Sequence, residues 1–471
     1  MALACYRQHF NGFRTRFRMG APQEEATEAP QEEATPVRLA VIGGGAKAAA
    51  LSARAYALRH TVGGRRILID IYEAVAKGAN WKGSYGYTSG QQTLCTPIER
   101  DLGYPYVSEP EGVRSILFEN FSWNAYLINQ SSKVHLEWIE GGRRPPTHTD
   151  FAKYLAWAIE RSEAEFIEAK VVGLVEAAGK WKIRYRPVAR RKKSLPVYGH
   201  IFKSEQSYDG VVVTGPGPAS RIKVKSGGSF VFDGQTMWGK IKEVKAALRR
   251  VPAKDPDLPI VIIGAGGTAA AILAWLATNG QRNRNFVVIS TQPAFYTRGD
   301  SVFENKVFNS PEAWRSLPPE VRTEFADRLN RGVVWSSVMS ELSGIQQINF
   351  HYGRATQITG ASGSARVFYS DAKGTNIGID AAVVFDAIGF DGWWWLNLLS
   401  KDALSESGGR EALKADGVMG DDLAFDPAVW KLPPLHAPLQ SSQIGPGYQS
   451  LMSLGSMASS VLDAYLTIEA P

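Results

Sequence analysis

A strand–turn–helix pattern occurs twice in this chain, and the repetition constrains the fold more than any other feature. In each copy a short apolar run reads as a buried parallel strand, a glycine-rich turn follows, and an alanine-rich stretch reads as a helix. The copies are 37–42, 43–45 and 46–58, and 259–263, 264–267 and 268–278. A further strand follows each copy, at 67–72 and 286–290. Two such openings predict two nucleotide-binding domains with parallel sheets.

The order of the segments predicts that the second domain is inserted into the first. Residues 209–217 and 381–389 each form a β-branched run that ends in a glycine-containing turn, as expected where the chain crosses between domains. We therefore predict an α/β fold with two Rossmann-like dinucleotide-binding domains and a small substrate-binding cap. The predicted first domain comprises 37–224 and 381–471, and the predicted second domain comprises 225–380.

Residues 1–36 are expected to form a disordered extension outside both domains. They contain the polar and acidic sequence Pro-Gln-Glu-Glu-Ala-Thr twice, and such a tract buries too little apolar surface to order itself. A targeting segment is the alternative interpretation of this extension.

Composition limits the function further. The formal net charge of +7 over 471 residues is too diffuse to indicate a nucleic-acid partner. No apolar run approaches the roughly 18–20 residues that cross a bilayer, so we expect no membrane span. The only cysteines are Cys5 and Cys95, which argues against a disulfide scaffold and a cysteine-rich metal site. We therefore expect a reducing, cytoplasmic location and no metal.

The first glycine loop, Gly43-x-Gly45-x-x-Ala48, has the residues of a dinucleotide site. Gly43 permits the tight turn, Gly45 lets backbone N–H groups approach a pyrophosphate, and Ala48 keeps the helix close to the strand. Glu73 ends the next strand and offers a carboxylate to the hydroxyls of an adenosine ribose. This combination favours FAD or NAD, and a plain tight turn is the structural alternative.

The second loop, Gly264-x-Gly266-x-x-Ala269, has no acid after its next strand, which runs into Ser290-Thr291-Gln292. A carboxylate there would repel the 2′-phosphate of NADP, whereas hydroxyls and nearby cations accommodate it. We therefore predict FAD at the first loop and NADPH at the second. The predicted NADPH contacts are Gly264, Gly266, Thr268, Ser290 and Arg298.

The cysteine content indicates which molecule accepts electrons from the reduced flavin. Flavoprotein disulfide reductases need a redox cysteine pair close to the first loop, and this sequence has none. Oxygen is then the obvious electron acceptor, which favours a monooxygenase.

Six further segments carry a more specific resemblance. They are 78–81 (GANW), 96–106 (TPIERDLGYPY), 143–148 (RRPPTH), 154–157 (YLAW), 297–305 (TRGDSVFEN) and 445–448 (GPGY). In order and spacing they resemble the amino-acid N-monooxygenases of siderophore biosynthesis, and most closely the mycobactin-type lysine N6-monooxygenases. The resemblance extends over nearly all of the chain from Val37 onward.

The resemblance implies a defined reaction. NADPH reduces FAD, NADP⁺ stays bound, oxygen adds at the flavin C4a position, and one oxygen atom passes to a neutral side-chain amine. A lysine ammonium, with a pKa of about 10.4, has no lone pair until it loses a proton, so the pocket must be dry and poor in cations. We expect L-lysine and O2 as reactants and, by resemblance, a homo-oligomer.

The resemblance also assigns residues to the substrate. The family holds the substrate α-carboxylate with a Lys in the segment that here reads Glu99-Arg100-Asp101, so Arg100 occupies the anchoring position. Arg binds a carboxylate bidentately but differs from Lys in reach, which leaves the exact substrate open. Asn305 matches a second carboxylate contact, with turn capping as the alternative. Trp81 is expected to pack near the flavin, with an ordinary core position as the alternative.

Other functions stay open at this point. The enzyme alternatives are hydroxylation of ornithine, a diamine or another amino acid, and Baeyer–Villiger oxidation of a ketone. Arg100 and Asn305 favour an amino acid, and 331–336 lacks the Asn of the ornithine hydroxylases, which favours the lysine branch. An alternative of another class is a non-catalytic flavin-binding partner in a biosynthetic assembly.

Overall fold

The structure is a computed structural model that describes most of the chain. The described residues are 35–61, 66–83, 86–189, 197–226, 228–250, 258–297, 301–330, 334, 336–361, 363–415 and 417–466. All but the last two residues of the predicted N-terminal extension lie outside these ranges.

The described residues contain sixteen strands, numbered in chain order. They are β1 (Val37–Ile42), β2 (Ile67–Glu73), β3 (Glu165–Ala177), β4 (Lys180–Ala189), β5 (Val197–Tyr198), β6 (Phe202–Lys203), β7 (Gly210–Val213), β8 (Lys223–Val224), β9 (Val231–Asp233), β10 (Ile260–Ile263), β11 (Phe286–Ser290), β12 (Ile348–Ala361), β13 (Ser364–Asp371), β14 (Asn376–Ala381), β15 (Val383–Asp386) and β16 (Leu435–His436).

The α-helices of the same ranges are also numbered in chain order. They are α1 (Ala46–Arg59), α2 (Glu111–Phe121), α3 (Trp123–Gln130), α4 (Ser132–Glu140), α5 (His148–Arg161), α6 (Ile241–Arg249), α7 (Gly267–Leu276), α8 (Val302–Phe308), α9 (Pro311–Arg315), α10 (Pro319–Asn330), α11 (Ser336–Leu342), α12 (Lys401–Glu406), α13 (Gly409–Leu413), α14 (Pro427–Trp430) and α15 (Leu454–Asp463). None of the described helices has the length and apolar character that crossing a membrane requires.

The first sheet has the strand order β16-β7-β1-β2-β3-β4-β5, with β6 on β4. Its central strand β1 pairs in parallel with β2 and with β7. The carboxyl ends of these three strands therefore meet at one edge of the sheet, where α1 begins. In an open parallel sheet this edge is where nucleotides bind.

The second sheet repeats this arrangement. Its order is β14-β13-β12-β11-β10-β15-β9, with β8 on β12. The strand β10 pairs in parallel with β11 and β15, and α7 begins beyond its carboxyl end. The predicted fold with two Rossmann-like units is therefore confirmed.

The sequences of the central strands explain their position. β1 (VRLAVI) and β10 (IVII) are almost entirely apolar and buried, as expected for parallel strands that are covered on both faces. The helix α1 is rich in alanine and buried nearly all round. Its small side chains let it pack closely between the sheet and the helices α2, α5 and α15.

The division into two domains stays a prediction. Among the described strands, the first sheet uses β1–β7 and β16, and the second uses β8–β15. Because β15 pairs with β10, sheet membership places the second crossing after Asp386 instead of at residue 381.

Candidate active site

The first glycine loop has a backbone that requires glycine at its start. Gly43 has a φ of 108°, and a Cβ there would lie 2.6 Å from the Oγ1 of Thr214. The Thr214 hydroxyl in turn donates to the backbone carbonyl oxygens of Ile42, at 2.9 Å, and Gly43, at 3.0 Å. A side chain at residue 43 would therefore strain the backbone and displace a hydrogen-bonded hydroxyl.

Gly45 is different, because nothing occupies the space beside it. It is the N-cap residue of α1, with an ordinary φ of −95° and no side-chain cap. A Cβ on Gly45 would have no atom within 4 Å. Open space thus lies beside helical N–H groups that need an acceptor, and a pyrophosphate fits both requirements. Ala48, the third residue of the motif, is fully buried.

Glu73 is held against the loop by two backbone N–H groups. Its Oε2 accepts from Gly44 at 2.9 Å and its Oε1 accepts from Val75 at 2.8 Å. Burial raises the pKa of Glu73, and these hydrogen bonds oppose that shift. Each carboxylate oxygen keeps a second lone pair, so Glu73 can still accept hydroxyl protons from a ribose.

The turn that carries Trp81 lies directly against this loop. The Gly78 N–H donates to the Gly44 carbonyl oxygen at 2.8 Å. The Trp81 ring packs edge-to-face on His148, with centroids 4.9 Å apart, and on Phe151, at 5.2 Å. Trp81 is thus adjacent to the predicted FAD loop, and its contact with flavin stays a prediction.

The second loop repeats the geometry of the first. Gly264 has a φ of 104°, and a Cβ there would lie 2.4 Å from the Ala387 carbonyl oxygen. Gly266 is the N-cap residue of α7 and also lacks a side-chain cap. Thr268 is half-buried in the first turn of that helix. The arrangement suits a second dinucleotide.

Ser290, at the end of β11, is one of the predicted contacts to the 2′-phosphate. Ser290 is buried, and its Oγ accepts from the Gln292 N–H at 3.0 Å. The next residue, Thr291, is the exposed hydroxyl at this strand end. Arg298 lies outside the described residues. Recognition of the 2′-phosphate by Ser290 and Arg298 therefore stays a prediction.

Arg100 lies in a loop that a buried carboxylate organises. The Arg100 guanidinium stands over the Tyr104 ring, with Cζ 5.9 Å from the centroid. Its neighbour Asp101 accepts from the Tyr106 hydroxyl at 2.5 Å and from the Trp123 N–H at 2.9 Å. Burial raises the pKa of Asp101 to about 6. Arg100 was predicted from the sequence, whereas its neighbour Asp101 was not.

Asn305 lies in α8, and this helix packs against the C-terminal GPGY segment. The Asn305 N–H donates to the Ser301 carbonyl oxygen at 2.9 Å. A Cβ at Gly445 or Gly447 would lie 2.7 or 2.8 Å from the Phe308 carbonyl oxygen, so glycine permits the close packing. The shared role of Arg100 and Asn305 as carboxylate anchors stays a prediction.

Lys47 connects the C-terminal GPGY segment to the first glycine loop. This residue was not predicted from the sequence. Its side chain is buried, and its Nζ donates to the carbonyl oxygens of Tyr448, at 2.5 Å, and Ser450, at 3.3 Å. Burial lowers the pKa of Lys47 to about 7. The available signal was a single lysine in the alanine-rich start of α1.

A separate cavity of about 410 Å³ lies between the segment that follows Trp81 and the helices α6, α7 and α11. Gln91 and Gln92 line it on one side, and Trp238, Trp275 and Glu341 line it on the other. None of the predicted site residues lines it.

Comparison with known proteins decides the family. No protein-family profile matches the chain. The L-lysine N6-monooxygenase MbtG of Mycolicibacterium paratuberculosis is 31% identical over 441 residues, which are 91% of this chain and 95% of the relative. MbtG of Mycobacterium tuberculosis is 31% identical over 439 residues, 90% of this chain and 94% of the relative. This chain belongs to the L-lysine N6-monooxygenase family. The resemblance found in the sequence is confirmed.

Solved structures agree with this L-lysine N6-monooxygenase assignment. The lysine monooxygenase NbtG from Nocardia farcinica superposes with a TM-score of 0.71 and 26% identity, covering 90% of this chain and 99% of that chain. The ornithine N-hydroxylase KtzI from Kutzneria sp. 744 has a TM-score of 0.66 and 14% identity, covering 91% and 98%. The second similarity concerns the fold alone.

Both loops fit the cofactors expected of the L-lysine N6-monooxygenase family. The uncapped start of α1 and the open space at Gly45 suit the pyrophosphate of FAD, and the contact of Glu73 with its ribose stays a prediction. The uncapped start of α7 suits NADPH. The chain is accordingly a flavin-dependent N-hydroxylating monooxygenase.

Proposed function

We propose that this enzyme uses FAD and NADPH to hydroxylate the side-chain amine of L-lysine. One observation supports the substrate most strongly: curated lysine N6-monooxygenases are 31% identical to the chain over 90% or more of its length. The N-hydroxylated lysine would supply hydroxamate formation in siderophore biosynthesis. We further propose a cytoplasmic, homo-oligomeric enzyme.

The first loop would hold FAD. Gly43 sets the turn, Gly45 leaves room for the pyrophosphate, and Ala48 lets α1 approach the sheet. Glu73 would accept protons from the ribose hydroxyls, because Gly44 and Val75 already fix its orientation. When bound, FAD supplies the redox chemistry that activates O2.

The second loop would hold NADPH beside the first. Gly264 and Gly266 present the N-terminus of α7 to its pyrophosphate. Ser290 and Arg298 would accommodate the 2′-phosphate, because neither carries negative charge.

Arg100 and Asn305 would hold the α-carboxylate of lysine. Asp101 supports this role indirectly, because its hydrogen bonds to Tyr106 and Trp123 fix the residue that directly follows Arg100. Anchoring the carboxylate leaves the ε-amine as the free end of the substrate. The enzyme must receive that amine neutral, and a pocket that excludes water favours the neutral form.

Anaerobic mixing of FAD-loaded protein with NADPH tests the cofactor assignment. The yellow absorption of oxidised flavin should bleach with NADPH and much more slowly with NADH. Air and lysine should then restore the absorption while lysine gains one oxygen atom. A protein that binds FAD but is not reduced by NADPH would contradict the proposal and indicate a non-catalytic flavoprotein.

A further inference from the structure

His148 is a buried histidine whose role the cofactor loops do not explain. It is the first residue of α5, and its side chain is 7% exposed. Its backbone N–H donates to the Gln92 carbonyl oxygen at 2.9 Å, and the adjacent Thr149 N–H donates to the Gly90 carbonyl oxygen at 3.0 Å. These bonds fix the imidazole against the segment that follows Trp81.

The hydrogen bonds around the ring indicate which nitrogen carries the proton. Burial lowers the pKa of His148 to about 4, so the imidazole is neutral near pH 7. Its Nδ1 lies 2.8 Å from the Oγ1 of Thr88, which already accepts from the Gly90 N–H at 3.3 Å. If Thr88 donates to Nδ1, its hydroxyl and Nδ1 are both satisfied, whereas in the opposite tautomer the hydroxyl proton has no acceptor among the described residues. On this hydrogen bonding we assign the hydrogen to Nε2 of His148.

This Nε2–H is buried and has no partner among the described residues. A buried donor without an acceptor is rare in folded proteins, and each such case calls for a specific reason. An acceptor that arrives with a ligand is one such reason.

The ring also lies beside the predicted FAD site. Trp81 packs on His148, and the turn that carries Trp81 is bonded to the first loop through Gly78 and Gly44. The same α5 lies against that turn, since a Cβ at Gly78 would be 3.0 Å from the Ala152 carbonyl oxygen. Gly45 accounts for the pyrophosphate and Glu73 for the adenosine ribose, which leaves the flavin end of FAD for the side of Trp81 and His148.

We propose that the Nε2–H of His148 donates a hydrogen bond to an acceptor on the isoalloxazine ring of FAD. The inference rests on the proposed FAD binding and adds a cofactor-contacting residue to it. Isoalloxazine carries carbonyl oxygens and ring nitrogens that accept hydrogen bonds. Because reduction increases the electron density on these acceptors, the donor at His148 stabilises reduced flavin and raises the reduction potential.

Three substitutions separate this role from packing. H148Q keeps an N–H group near the position of Nε2, H148N keeps a polar group only near Nδ1, and H148F keeps an aromatic ring against Trp81. In the FAD-loaded proteins, H148N and H148F should weaken FAD binding by about 3- to 10-fold, change the flavin absorption spectrum and lower the reduction potential. H148Q should restore most of each property.

A loss of stability is distinguished from a loss of the flavin contact by measuring both the FAD-loaded and the FAD-free protein. In the FAD-free protein, H148N should unfold at a temperature close to that of the wild type, because it keeps a polar group for Thr88 and Nε2 has no partner to lose among the described residues. Wild-type affinity, spectrum and potential in H148F would overturn the inference, as would H148Q behaving like H148N. Failure of the wild type to bind FAD would instead contradict the proposed function, so the two failures are distinguishable.

Discussion

Lys47 and Tyr448 lie 401 positions apart in the sequence and are joined by a hydrogen bond: the Lys47 Nζ donates to the Tyr448 carbonyl oxygen at 2.5 Å. Lys47 belongs to the first turn of α1, beside the predicted FAD pyrophosphate, and Tyr448 ends the GPGY segment. The C-terminal part of the chain is thereby attached to the cofactor loop.

This buried lysine predicts a specific pH dependence of stability. Its pKa is lowered from 10.5 to about 7 by burial, so between these values the unfolded chain binds more protons than the folded chain. The contribution of Lys47 to stability therefore rises with pH from about 7 to 10.5. The free energy of unfolding of the FAD-free wild type, minus that of Lys47→Met, should increase by about 1 kcal/mol per pH unit in this window. Urea denaturation at pH 7, 8 and 9 measures it, and a difference that does not change with pH would contradict the prediction.

Two glycines of the first loop should respond differently to alanine. Gly45→Ala places a methyl group in open space at an ordinary φ, so the FAD-free protein should keep wild-type stability while FAD affinity falls by about 100-fold or more, because the pyrophosphate loses its room. Gly43→Ala should destabilise the protein itself, because φ is 108° and Thr214 is too close. Thermal unfolding and FAD titration of both variants check this. Unchanged FAD binding in Gly45→Ala would exclude the pyrophosphate from that space.

Arg100 should act on substrate binding more than on turnover. Arg100→Ala should raise the KM for lysine by about 10-fold or more, since a charged hydrogen bond to the carboxylate is lost. Arg100→Lys should recover part of the loss, and reduction of the flavin by NADPH should stay unchanged in both. Arg249→Ala removes an exposed arginine at the end of α6 and serves as the matched control. An unaltered KM in Arg100→Ala would remove it from the site.

The charged form of Asp101 should destabilise the fold. Burial raises its pKa from 3.8 to about 6, so the folded chain binds more protons between these values and the contribution of Asp101 to stability falls as pH rises through them. The stability of the wild type relative to Asp101→Asn should thus decrease from pH 4 to pH 6 and stay constant above it. Asp101→Asn should also raise the KM for lysine, because the loop of Arg100 loses an acceptor. Parallel denaturation curves and steady-state kinetics would show both effects, and a relative stability that rises with pH would contradict the assignment.

The sequence predicted the elements whose signals are local. An apolar strand, a glycine turn and an alanine-rich helix follow one another within about 20 residues, so β1, α1 and Glu73 could be placed correctly. The short strand β9 was missed, because its three residues form a strand only by pairing with β15, which lies far along the chain.

The contacts that complete the site were beyond local patterns. The Lys47–Tyr448 bond joins residues 401 positions apart. The position of the His148 proton is assigned from Thr88, 60 positions away, and Nε2 has no partner among the described residues. Sequence patterns identify residue types that suit a cofactor, whereas hydrogen-bond partners of this kind depend on the tertiary packing. The resemblance included Thr147-His148 in a family motif. Only the structure shows that the buried Nε2 of His148 has no hydrogen-bond partner among the described residues.

Mass spectrometry of the reaction product tests the central claim most directly. The FAD-loaded enzyme would be supplied with NADPH and air, and then with L-lysine, L-ornithine or cadaverine in separate reactions. We predict that lysine gains one oxygen atom on its ε-nitrogen with matched consumption of NADPH, and that ornithine and cadaverine give hydrogen peroxide instead. Hydroxylation of ornithine or cadaverine in preference to lysine, or peroxide as the sole product with every amine, would contradict the account.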